Sequence, residues 1–144
     1  MSPEKSKILT ERYPKIFSLP EGSAEPFSYF GFECGDGWFD LIDLLCKRIQ
    51  HHIDWAIKDL PEEKKEGFQV VATQIKEKFG TLRFYHSGGD DHTDGMISMA
   101  ESMSGKICEI CGDKATVQTK GWIRNICQPC QVRGKFKDQG FELK

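Results

Sequence analysis

Residues 106–132, KICEICGDKATVQTKGWIRNICQPCQV, decide how this chain is read. Cys108 and Cys111 form one Cys-x2-Cys pair, and Cys127 and Cys130 form a second, fifteen residues further on. Two intervening residues let both sulfurs of a pair turn onto one ion. Two such pairs complete a tetrahedron with zinc–sulfur distances of about 2.3 Å. Gly112 follows the first pair, where the chain must turn sharply and a residue without a Cβ does so at no steric cost. Between the pairs, 116–119 and 122–126 flank Lys120-Gly121 and predict two short strands. The segment is therefore predicted to be a zinc ribbon holding one structural Zn2+. Redox or disulfide pairing is the competing chemistry of such cysteines. Four bound thiolates leave no coordination position for water or substrate, so the metal is expected to hold the fold rather than react. So short a segment buries little core, and the ion is expected to supply most of its folding energy.

Outward from this segment, 144 residues suffice for one compact core plus a small appendage. Hydrophobic residues make up 38% and charged residues 29%, with 10 Phe, 3 Trp and 3 Tyr, a mixture that folds. No apolar stretch approaches the roughly 20 residues that cross a bilayer, and the polar start Met1–Lys7 directs no export. A cytoplasmic setting is expected, in which thiols stay reduced and are free to bind metal. Residues 1–105 carry 12 Lys and Arg against 18 Asp and Glu, and residues 106–144 carry 8 against 4. A basic C-terminal segment invites nucleic acid. Four thiolates with one Zn2+ add −2 there, however, so much of the excess neutralises the metal centre.

The expected fold class is α+β: helices on a small antiparallel hairpin, with a C-terminal zinc ribbon. Residues 1–105 form the body with an N-terminal wrapping arm, 106–132 the ribbon and 133–144 a basic tail. In the arm, 8–16 predicts one or two helical turns, and the aromatic run 27–32 is expected to pack on the body. Asp36, in Cys34-Gly35-Asp36-Gly37-Trp38, is expected to cap a helix that runs from Phe39 to near Leu60, with Ile42, Leu45, Cys46, Ile49, Ile53, Ala56 and Ile57 on its buried face. Pro61 closes it, and 61–67 reads as a solvated turn. Residues 68–76 and 81–86 predict the hairpin, with Arg83 and Tyr85 on one face and Leu82, Phe84 and His86 on the other. A second helix is predicted over 93–104, started by Asp91 or Thr93, buried along Met96, Met99, Ala100 and Met103, and ended by Gly105.

Three other groupings bear chemistry-capable side chains. Cys34, Cys46, His51 and His52 have the composition of a second metal site, but Cys46 falls on the apolar stripe and reads as a core thiol. The loop 88–95 concentrates Asp90, Asp91, His92 and Asp94, a setting for Mg2+ or acid–base work, although its spacing fits no known metal or phosphate loop. Arg83 beside Phe84 and Tyr85 resembles a strand that stacks a base or contacts a phosphate, although the alternation of a half-buried hairpin accounts for the same residues and is the favoured reading.

The runs 30–39 (FGFECGDGWF), 76–85 (KEKFGTLRFY) and 121–124 (GWIR) resemble a family of small phage- and prophage-encoded proteins with a four-cysteine ribbon. That resemblance spans about residues 10–130 and implies no catalytic residue. It implies an accessory protein that binds a host protein stoichiometrically, with inhibition of an antiviral defence as one form of this. Two further readings stand beside it. One is a DNA- or RNA-binding ribbon using Lys106, Lys114, Lys120, Arg124, Arg133, Lys135 and Lys137. The other is a metal-dependent hydrolase centred on Asp90–Asp94.

Overall fold

The computed structural model describes residues 1–18, 31–134 and, for the backbone, 140–142. Residues 27–30 of the aromatic run, with Lys135 and Lys137, lie outside the described residues. Helix α1 (Pro3–Arg12) starts earlier than expected: Ser2 is its N-cap, Pro3 occupies the first turn, and Arg12 meets the carbonyl end. It buries Leu9 and leads to Tyr13, whose hydroxyl donates to Asp43 Oδ1 at 2.8 Å. Strand β1 (Phe32–Glu33) and a 3-10 turn (Asp36–Trp38) precede helix α2 (Phe39–Ala56). Of the predicted stripe, Ile42, Leu45, Cys46, Ile49 and Ile53 are buried, whereas Ala56 and Ile57, at and just beyond the helix end, are half-buried. Helix α2 stops at Ala56, short of Leu60, because Pro61 disfavours helical backbone in the residue before it; 57–60 tighten into turns instead. Pro61 then caps a single-turn helix, α3 (Glu62–Lys65), in the charged connector.

Strands β2 (Val71–Lys78) and β3 (Thr81–Ser87) form the expected antiparallel hairpin. The sheet is mixed rather than purely antiparallel, because β1 pairs with β2 in parallel, Phe32 opposite Ile75. Parallel neighbours require a crossover, and α2 provides it. Helix α4 (Asp91–Ser104) packs on both α2 and β3. It also closes the sheet edge: Leu82 N–H donates to Ser104 Oγ at 2.8 Å and Phe84 N–H to Glu101 Oε1 at 2.9 Å. Those two backbone donors would otherwise be open to another strand. The stripe Met96, Met99, Ala100 and Met103 is corrected in part. Ala100 is buried and Met96 packs half-buried against the core, but Met99 and Met103 are exposed, because the face that reaches β3 carries Thr93, Ile97, Ala100 and Ser104, small or hydrogen-bonding side chains.

The main core gathers Leu9, Ile16, Trp38, Ile42, Ile49, Val70, Ile75, Leu82 and Phe84 between sheet and helices. A second, small cluster of Cys108, Val117, Ile126 and Cys127 lies within the C-terminal part. There β4 (Val117–Thr119) pairs antiparallel with β5 (Asn125–Ile126) on one side and with β6 (Gly140–Glu142) on the other. The second predicted strand is shorter than 122–126 because Thr119 Oγ1 draws Trp122 and Arg124 into a turn. Helix α5 (Gln128–Arg133) follows Cys127 directly.

Candidate metal centre

The first knuckle is a tight turn closed by Gly112 N–H on the Cys108 carbonyl at 2.9 Å, with Gly112 at φ +87, as its position after Cys111 predicts. Cys127 heads α5, and Gln131 N–H donates back to its carbonyl at 3.0 Å, so Cys130 is brought round on the first helical turn. All four sulfurs lie within 4.8 Å of one another. Cys111 Sγ and Cys127 Sγ are 3.5 Å apart, close to the ~3.8 Å edge of a tetrahedron with ~2.3 Å metal–sulfur bonds and far beyond the ~2.05 Å of a disulfide. All six cysteines are free thiols. The donor set therefore fits a metal ion.

Electrostatics agree with the geometry. Burial raises the Cys108 thiol, yet N–H groups of Cys111, Cys127 and Ile110 outweigh it and bring the group below its ordinary value. Cys111 is pushed up to about 11, by burial first and then by the sulfurs beside it, and Cys130 is raised for the same reasons. Four thiolates this close repel one another. A divalent cation relieves that repulsion by displacing the protons.

The centre is bolted to the body through Glu109 and Asn125, which sequence reasoning did not single out, and through Arg124 and the Gly35–Trp38 turn, for which it expected other roles. Glu109, inside the first knuckle, is 1% exposed. Its Oε1 accepts from Gly35 N–H at 3.0 Å, its backbone carbonyl accepts from Gly37 N–H at 2.8 Å, and Arg124 Nε lies 3.4 Å from Oε2. Burial raises the Glu109 carboxyl, against the lowering effects of Arg124 and the Gly35 N–H. Trp38, fully buried, donates its indole N–H to the Ile107 carbonyl at 3.1 Å. On the other flank, Asn125 Nδ2 donates to the Gly80 carbonyl at 3.0 Å, so the hairpin turn also touches the ribbon. Gly35-Asp36-Gly37-Trp38 is thus a docking seat. The Asp36 side chain caps no α2 N–H. It accepts from Ser2 N–H at 2.6 Å, a bond that holds its carboxyl below the usual range. The legible signal was a pair of glycines flanking one residue beside a tryptophan, which a helix cap alone does not need.

The other candidates separate. Cys34 and Cys46 are buried thiols, Cys34 raised to about 12 by burial, and neither approaches the other grouped histidines as a ligand set. Among the described residues the four-cysteine set is the one group of three or more His, Cys, Asp or Glu donors that closes to ligand distances. In the 88–95 loop, Asp90 rather than Asp91 is the N-cap of α4. Its carboxylate accepts from Thr93 N–H at 2.9 Å, and Thr93 Oγ1 accepts from Asp90 N–H at 2.8 Å, a capping box. Asp90 also takes His52 Nε2 at 2.8 Å, and the His52 ring stacks on His92 at 4.3 Å. His51 is exposed. Burial raises Asp90, but the His52 and Thr93 hydrogen bonds outweigh it and lower its pKa. A lowered carboxylate stabilises the fold above its unfolded pKa of about 3.9 and ceases to do so as pH falls through the lower folded value. Asp90→Ala is expected to cost about 1 kcal/mol at pH 7 through the lost cap. In urea unfolding across pH 2 to 7, the gap between the two proteins should close at the acid end.

No protein-family model, curated protein or solved structure matches this chain. Its function is therefore argued from its own residues. Among the described residues no helix is long and apolar enough to cross a membrane.

Proposed function

We propose that this chain is an accessory protein of the phage type that acts by stoichiometric binding, with one structural Zn2+ on Cys108, Cys111, Cys127 and Cys130. The observation that carries the zinc assignment is the closed four-sulfur donor set, wedged on the body by Glu109. Tetrahedral sulfur ligation suits zinc or iron, and a mononuclear site built from two knuckles with no open position suits structural zinc. Protein purified without chelators should carry one zinc per chain by elemental analysis and should be colourless. Stoichiometric iron, or no metal in folded protein, would end the zinc assignment.

A binding role is supported by the aromatic side chains the fold leaves in water, Trp55, Trp122 and Phe79. A host protein as partner, acting in the host cytoplasm, is supported by the resemblance of 30–39, 76–85 and 121–124 to phage-encoded proteins. The hydrolase alternative is tested by phosphodiesterase and phosphatase assays with Mg2+ or Mn2+, comparing the intact chain with Asp91→Ala. The proposal expects no turnover by either.

A further inference from the structure

The hairpin turn carries a side chain that its backbone does not favour. Residues 79 and 80 are the two central residues of the β2–β3 turn, with φ +54 at Phe79 and +81 at Gly80. That geometry ordinarily calls on Asn, Asp or Gly at the first position. A phenylalanine there costs on the order of 1 kcal/mol, and its ring is not recovered by burial, since Phe79 is 68% exposed. Opposite it stands Trp122, 70% exposed. The indole is oriented rather than loose, because its one polar group donates to Glu77 Oε2 at 3.1 Å, leaving the ring available for stacking. Between them opens a cleft of about 270 Å³ lined by Lys76, Lys78, Phe79, Gly121, Trp122 and Ile123 together with Glu77. That is below the usual range for drug-sized ligands and is suited to a single planar group.

Beside the cleft lies the hairpin face turned away from the core, on which, among the described residues, Lys76 and Arg83 are half-buried and Tyr85 is exposed. Strand register sets Lys76 opposite Arg83 and Gln74 opposite Tyr85, and Tyr85 is 42% exposed. Among the described residues neither Lys76 nor Lys78 has a carboxylate within ion-pair distance. The acid in the cleft, Glu77, is engaged with Trp122 and with Gly80 N–H. Lys76, Lys78 and Arg83 share this face with the exposed ring of Tyr85, and the acid across from Lys76, Glu33, is engaged by Gln74 Nε2 at 3.0 Å. Rings that stack bases and cations that follow phosphates are the elements of a single-strand platform. Lysine is depleted in the centre of protein–protein interfaces. The same surface therefore fits a polypeptide less well.

We propose that Phe79, Trp122 and Tyr85, with Lys76, Lys78 and Arg83, bind single-stranded nucleic acid, one base seating in the Phe79–Trp122 cleft. This rests on the binding role proposed above and adds a nucleic-acid contact to it, on the sheet rather than the tail.

The test is fluorescence anisotropy of the full-length, metal-loaded chain with labelled 12-mers of dT and of U, titrated at 50 and 200 mM salt. Binding should weaken with salt. Trp122→Ala should raise Kd by roughly 5- to 100-fold, the loss of one stacked base. Phe79→Gly should weaken binding similarly while leaving thermal stability unchanged or higher, because glycine suits the backbone at that position. Lys76→Gln with Lys78→Gln should flatten the logarithmic salt slope by about 1.4, or about 0.7 per phosphate contact. No binding at 50 mM salt overturns the proposal, as does binding that survives both aromatic changes or that is lost only on changing Lys114 and Arg133. Capture of a polypeptide on this face in place of the oligonucleotides would also overturn it. Zinc content measured on the same samples reads the metal proposal separately: one zinc per chain without oligonucleotide binding removes the single-strand inference alone.

Discussion

Cys127→Ser, or a strong chelator acting on the intact chain, is expected to unfold the C-terminal third and to loosen the body with it. Structural zinc sites of this type contribute apparent binding free energies of about 10–16 kcal/mol at neutral pH, while a whole domain is stable by only about 5–15 kcal/mol. The ribbon has little else to hold it, since its own apolar cluster is four residues, two of them ligands. The loss should reach the body because Trp38 and Gly37 depend on the first knuckle: without it the buried indole N–H loses the Ile107 carbonyl, and Gly37 loses Glu109. Each buried donor left unmatched costs about 1–3 kcal/mol. Near-ultraviolet circular dichroism, which reports buried tryptophan, should collapse on chelation and return when Zn2+ is restored. A metal-free chain with a native spectrum and an unchanged Tm would overturn the structural role. Because the metal displaces thiol protons, affinity should fall with acid, and release by chelator should be faster at pH 5 than at pH 7.

Gly37→Ala is expected to destabilise the same junction by a smaller but still large amount, at a position far in sequence from any ligand. A Cβ there would lie 2.0 Å from the Cys108 carbonyl oxygen, 2.6 Å from Gly112 N and 2.7 Å from the Glu109 carbonyl carbon. All three are backbone atoms of the knuckle, and the first two form the hydrogen bond that closes it. No rotamer change relieves the clash, so seat and knuckle must part. Overpacking a tight interior costs about 1–3 kcal/mol, and the lost Gly37–Glu109 bond adds about 1 kcal/mol. A total of about 2–4 kcal/mol is expected in urea unfolding, with weaker zinc retention. Gly31→Ala is the control: nothing lies within 4 Å of its added Cβ, although its φ of +59 carries a smaller penalty of its own. Equal effects of the two changes would show that seat contact is not what matters at Gly37.

Much of the fold was legible in local pattern. The helical stripe Ile42–Ile53, the alternation Leu82-Arg83-Phe84-Tyr85 and the cysteine spacing each state a geometry directly, because side-chain direction repeats with a period set by the backbone. Boundaries were less legible where hydrogen bonds from distant residues set them. Ser2 started α1 early, and Thr119 shortened β5. The methionines of α4 misled because helical spacing marks a face without saying which face the neighbours cover. Thr93 and Ser104 won the interior by hydrogen-bonding their surroundings, a contest hydrophobicity does not record.

What this sequence determined by itself is the metal-ready sulfur set and the α+β pattern, for both follow from spacing over a few residues. Only the tertiary structure decided that Gly35 and Gly37 seat the knuckle, that Glu109 bolts it, and that Phe79 and Trp122 face each other across one cleft. These partners lie some 40 to 75 residues apart in the chain. Local periodicity carries no information about which distant segments meet; close packing of backbone on backbone does.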